Sequence, residues 1–122
     1  MIRSSLPHVH VAALSHAGMS GKDNEDRYAI SSFLMSKEDP RPAILAVVAD
    51  GIGGHLAGEI AAELAVNYIT AGVAESNGKK PVKILETAIQ NASQSIASHS
   101  AGKEDENGMG ATCACVWIIE NK

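Results

Sequence analysis

Aromatic residues make up only 3% of this 122-residue sequence: one Trp, one Phe and two Tyr. Its core must therefore be built from Ala, Ile, Leu and Val, which supply much of the 45% hydrophobic content. An excess of basic charge is also missing. The formal net charge is −4 and Lys and Arg are scattered along the chain, so no footprint for nucleic acid is present. No apolar run approaches the length that spans a bilayer. The opening stretch, MIRSSLPHVHVAALSHAG, has neither a long apolar centre nor a convincing cleavage site. The expectation is a cytoplasmic protein with no membrane partner. Cysteine is limited to Cys113 and Cys115, too few for a disulfide framework. Two apart in an apolar run, they point to one face of a strand and read as small buried hydrophobes. A metal site would need further soft ligands, and none is near.

What is present suits one domain, or part of one. VHVAALSH (9–16) alternates loosely and precedes a polar loop, and RYAISSFLM (27–35) resumes a strand pattern, so a hairpin between the two is predicted. AILAVVAD (43–50) is a short continuous apolar run, predicted as a central strand. From Leu56 to about Val73, Ile60, Leu64, Tyr68 and Ile69 recur at helical spacing, with Gly72 read as part of the stop signal. Pro81 suits the first turn of a second helix whose stripe is Leu85, Ile89, Ala92 and Ile96. GATCACVWII (110–119) returns to strand. Two consecutive helices between strands do not make a doubly wound sheet. They predict an α+β fold, with helices layered on one face of a largely antiparallel sheet.

The chemistry concentrates at two acidic turns. In VVADGIGGHLAGE (47–59) a strand ends on Asp50, then glycines lead into a helix. Direct phosphate binding fails on the spacing. The glycines fall at Gly51 and Gly53 but Leu56 takes the sixth position, and Gly58 is followed by Glu59 where a P-loop has Lys. A carboxylate beside phosphate is repulsive unless a cation lies between them. Upstream, Asn24, Glu25 and Asp26 open another strand. If that strand lies beside the one ending at Asp50, three carboxylates converge at one end of the sheet, a hard oxygen set that suits Mg²⁺ or Mn²⁺. Glycine after Asp50 lets the Gly51 carbonyl face the same place. Two ions there, about 3.5 to 4 Å apart, would polarise a phosphoryl oxygen and supply a bound hydroxide. Taken singly, NED is most often a solvated turn and DG at a strand end most often just a turn.

NED at 24–26, ADGIGGHLAGEIAAELA at 49–65 and GMGAT at 108–112, in this order, resemble the first half of a bacterial type 2C, metal-dependent serine/threonine protein phosphatase. The resemblance covers nearly the whole chain. It implies an αββα sandwich carrying two Mn²⁺ or Mg²⁺ ions and acting on phosphoprotein. Carried over residue by residue, Asp50 would bridge both ions, Gly51 would give its carbonyl, and Glu25 would bind one ion directly or through water. Asp26 would orient metal-bound water.

Three departures qualify the likeness. The arginine that clamps phosphate in the family is replaced by Gly21, and the adjacent Lys22 either offers a point charge or faces solvent. The histidine that serves eukaryotic relatives as general acid is replaced by Ile52. His55, of the bacterial GGH turn, either shuttles a proton or hydrogen-bonds within the turn. Complete domains of the family are about twice as long and bring two further aspartates, in later DG and DN turns. The chain, residues 1–122, is accordingly expected to be a truncated phosphatase domain with little or no turnover alone. The other function class left open is a non-catalytic module for partner binding or self-association, since half a sandwich exposes sheet edges and an apolar face.

Overall fold

The computed structural model describes residues 1–19, 24–53, 55–101 and 108–121. Four strands, β1 (Ile2–Ser4), β2 (Asp26–Leu34), β3 (Pro42–Ile52) and β4 (Gly110–Ile119), form one antiparallel sheet in the order β1-β2-β3-β4. Two helices, α1 (His55–Ala74) and α2 (Pro81–Ser100), lie between β3 and β4 in sequence. The α+β fold with two adjacent helices is the one predicted.

Period-two alternation on β3 sets the layers. Ala43, Leu45, Val47 and Ala49 are buried toward the helices, whereas Val48 and Ile52 on the other face are 55% and 54% exposed. Phe33, Leu45, Val47, Ile69 and Val73 form the fully buried centre. The face of α1 that meets the sheet is mostly small, with Ala57, Ala61, Ala62, Ala65 and Val66 buried beside Ile69 and Val73. This corrects the predicted stripe. Ile60 and Leu64 are only half-buried and Tyr68 is exposed, because alanine lets the helix lie closer to the sheet than a row of large residues would. On α2, likewise, Ala88 and Ala92 are the buried positions and Ile89 is exposed. Pro81 opens α2 as expected.

Gly72 does not stop α1, which runs on to Ala74. A Cβ added at Gly72 would lie 2.8 Å from the Cβ of Ala88, so this glycine lets the two helices approach closely here. Gly72→Ala is therefore expected to destabilise by about 1 kcal/mol in urea unfolding, because overpacking outweighs the gain in helix propensity.

VHVAALSH is not a strand. The strand that precedes β2 is the short β1, paired through Ile2 with Leu34 and through Ser4 with Ser32. Arg3 rests on the Phe33 ring at 5.4 Å, and the Met1 amine donates to the carbonyls of Ala74 (3.3 Å), the last residue of α1, and of Ser76 (2.6 Å) just beyond it. Residues 11–16 instead border, together with Tyr28, Ile30 and Val48, a groove of about 490 Å³ on the outer sheet face, and are themselves exposed. The cysteines share one face of β4, opposite Ala49 and Val47, but they are not both buried. Cys113 is exposed and Cys115 is half-buried, its thiol pKa raised by burial and by Cys113. No helix among the described residues is long and apolar enough to cross a membrane.

Candidate functional site

The acidic residues meet where β2 begins and β3 ends. Register places Asp26 directly opposite Asp50, and Asp50 directly opposite Thr112 at the start of β4. Asp26, Asp50 and Thr112 thus form a row across three strands on the outer face, all exposed. Desolvation, then the charge of Asp50 and a hydrogen bond to it, raise the pKa of Asp26, with Arg27 acting in the opposite sense. Two carboxylates held face to face call for a proton or a cation between them.

The turn before β2 is tightly organised. The Asn24 side-chain oxygen accepts from the Asp26 N–H at 3.0 Å, and its amide donates to Ser15 Oγ at 2.7 Å. Arg27 donates through one nitrogen to the carbonyls of Asn24 and Asp26, both at 2.8 Å, and through the other to Glu59 of α1 at 3.0 Å. The guanidinium is thereby committed to the backbone and to α1. The Gly51 N–H donates to the Glu25 carbonyl at 3.1 Å, extending the β2–β3 pairing through the acidic turn.

Glu25 does not join the aspartate pair. Consecutive residues of an extended chain point to opposite faces, and its carboxylate lies against Gly58 in the first turn of α1. A Cβ placed there would be 2.7 Å from Cδ and 2.8 and 2.9 Å from the two carboxylate oxygens. Among the described residues, no group of three or more His, Cys, Asp or Glu side chains is placed to hold one ion. The expected convergence of three carboxylates is thus a pair, Asp26 and Asp50, with Glu25 at the same end of the sheet but on the helix side. The negative end of a side chain is favourable over the first turn of a helix.

Gly51 has a packing reason to be glycine. An added Cβ would meet the Gly58 carbonyl oxygen and carbon and lie 2.9 Å from the Glu25 carbonyl oxygen. Its own carbonyl is an oxygen donor beside Asp50, so carboxylates plus backbone oxygen fit a hard divalent cation. His55 opens α1, but its side chain, like Gly21 and Lys22, lies outside the described residues. Sequence reasoning missed Thr112, Arg27, Gly58 and Glu59. The signal for Thr112 was available: GMGAT begins a strand, and that strand pairs with the one ending at Asp50.

Residues 15–122 match the family Protein phosphatase 2C. The serine/threonine phosphatase stp of Listeria monocytogenes serotype 4b (strain F2365) is 31% identical over 118 residues, covering 93% of this chain and 44% of that protein. The serine/threonine protein phosphatase PstP of Mycobacterium tuberculosis is 27% identical over 111 residues, covering 91% of this chain and 20% of that protein. The solved S. agalactiae serine/threonine phosphatase superimposes with a TM-score of 0.68 at 29% identity, covering 88% of this chain and 43% of that one. The chain thus spans less than half the length of the relatives it matches.

Proposed function

The chain belongs to the protein phosphatase 2C family, and on that premise we propose that residues 1–122 form the first half of a phosphoserine/phosphothreonine phosphatase domain. The observation that carries this reading is the Asp26–Asp50 pair across β2 and β3, set beside the Gly51 carbonyl and the first turn of α1. In this reading Asp50 and the Gly51 carbonyl would hold the ions, Glu25, on the helix side of the same end of the sheet, would bind one of them directly or through water, and Asp26 would orient water. A pair of Mn²⁺ or Mg²⁺ ions would supply Lewis acidity and a more acidic water. The chain's own part is to hold the oxygen donors: the hydrogen bonds of Arg27 go to the Asn24 and Asp26 carbonyls and to Glu59, not to the carboxylates of Asp26 and Asp50. The substrate class is phosphoprotein. Phosphate positioning by Lys22 and proton transfer by His55 belong to the same proposal. Alone, the chain has little or no turnover, because the remaining ligands of the family's centre are not among its residues.

The test is Mn²⁺ uptake by this chain and, in the full-length gene product, Mn²⁺-dependent release of phosphate from a phosphothreonine peptide, each with wild type and Asp50→Asn. Full activity in the Asp50→Asn protein would overturn the assignment of Asp50 as a metal ligand.

Self-association has one observation in its favour. Tyr28, Ile30, Val48, Val116 and Ile118 share the outer sheet face by register, and Val48 and Val116 are 55% and 57% exposed. A second copy of this chain would cover them. Sedimentation of the 122-residue chain should show dimers or larger species, and Val48→Lys with Val116→Lys should weaken association by about tenfold or more, since charges are poorly tolerated in an apolar interface. A monomer at high concentration counts against it.

A further inference from the structure

Glu59 and Gly58 sit side by side at the start of α1, and each meets one part of the acidic turn. Glu59 receives the Arg27 guanidinium at 3.0 Å, with the two side chains 35% and 26% exposed. The other arm of Arg27 holds the carbonyls on both sides of Glu25, those of Asn24 and Asp26. Gly58 underlies the Glu25 carboxylate itself, at distances that leave no room for a Cβ. The main chain of Glu25 is in turn fixed by the Gly51 N–H at 3.1 Å. The main chain around Glu25 is thus held by Gly51 and Arg27, and its carboxylate rests against Gly58.

We propose that Gly58 is a positioning residue, the seat that sets the place of the Glu25 carboxylate, and that the Arg27–Glu59 pair braces the turn against α1 so that the seat is occupied. The inference rests on the reading of Glu25 as a metal donor. It adds that the donor's position is dictated by the helix and not by the ions. The atoms that a Cβ at Gly58 would meet are the far end of a flexible side chain, so alanine there displaces the carboxylate without displacing the backbone. Alanine also favours the helix. A residue kept only for packing would show the reverse pattern, with stability lost and metal affinity untouched.

Titration of the 122-residue chain with Mn²⁺, followed by the free-Mn²⁺ electron paramagnetic resonance signal, separates the two. Gly58→Ala should weaken Mn²⁺ binding by about tenfold, the usual scale for support around a ligand, with a melting temperature unchanged or higher. Arg27→Met should weaken binding in the same direction while the chain stays folded, and it serves if Gly58→Ala does not fold. Adding Glu25→Asp to Gly58→Ala shortens the acid by one methylene, and the double variant should bind more tightly than Gly58→Ala alone. Wild-type affinity in both Gly58→Ala and Arg27→Met, with Asp50→Asn losing Mn²⁺, would overturn this inference and leave the metal site standing. Unchanged affinity in Asp50→Asn, or no saturable uptake by wild type, would overturn the site and the inference together.

Discussion

Gly51→Ala should destabilise the chain by about 4 kcal/mol or more, the range reached only by severe steric or burial defects. The cause is backbone against backbone. The new methyl would run into the Gly58 carbonyl and press on the Glu25 carbonyl at 2.9 Å, and neither group is a side chain that can rotate away. Relief requires α1 to lift from the end of β3 or the 24–26 turn to leave it. The second movement breaks the Gly51–Glu25 hydrogen bond, and the first disturbs the alanine contacts of α1. A domain of this size is stable by only about 5 to 15 kcal/mol, so a midpoint lower by roughly 15 °C or more is expected. Thermal unfolding with chelator present checks it, because the clash involves no ion. A small loss would mean that α1 gives way easily, and the seat proposed at Gly58 would lose its rigidity as well.

The contrast between Gly51 and Gly58 shows what the sequence could and could not disclose. The strand–glycine–helix order was legible from apolar runs and punctuation, and β3, α1 and β4 fall within two residues of where those signals put them. Both glycines stood in the same motif, yet one meets a backbone carbonyl and the other a carboxylate. That difference depends on how β2, β3 and α1 converge, which no local pattern encodes. VHVAALSH failed for a related reason: alternation alone does not say whether a segment pairs in a sheet, and residues 9–16 are exposed and outside any strand. Alanine misled in α1, where Ile60, Leu64 and Tyr68 looked like the core stripe while Ala57, Ala61 and Ala65 were the ones that fit beneath. The opposed faces of Glu25 and Asp26, by contrast, follow from the period of a strand and were available from the start.

Asp50→Asn should trade metal affinity for stability. In the proposed site Asp50 would be a direct ligand, so its loss should weaken Mn²⁺ binding by more than the roughly 10- to 100-fold that removal of a supporting group costs. The same change should make the metal-free chain slightly more stable near neutral pH. Asp26 and Asp50 are direct cross-strand partners, and like charges so placed destabilise by a few tenths of a kcal/mol. Removing one charge should thus raise the metal-free midpoint by about 1 to 3 °C. The pH dependence fixes the sign. The Asp26 pKa is raised above its ordinary 3.8, so the folded chain holds this proton more tightly than the unfolded one. Its contribution to stability therefore grows as pH falls through the window between the raised value and 3.8, and the unfavourable term is fully present above that window. The advantage of Asp50→Asn should accordingly be largest at neutral pH and fade on acidification, as Asp26 in the wild type takes up its proton. Melting curves with chelator at several pH values, set beside Mn²⁺ titrations, measure both halves. A variant that lost affinity and stability together would show that Asp50 holds the fold, whereas opposite signs mark an acid kept for a cation at some cost to the sheet.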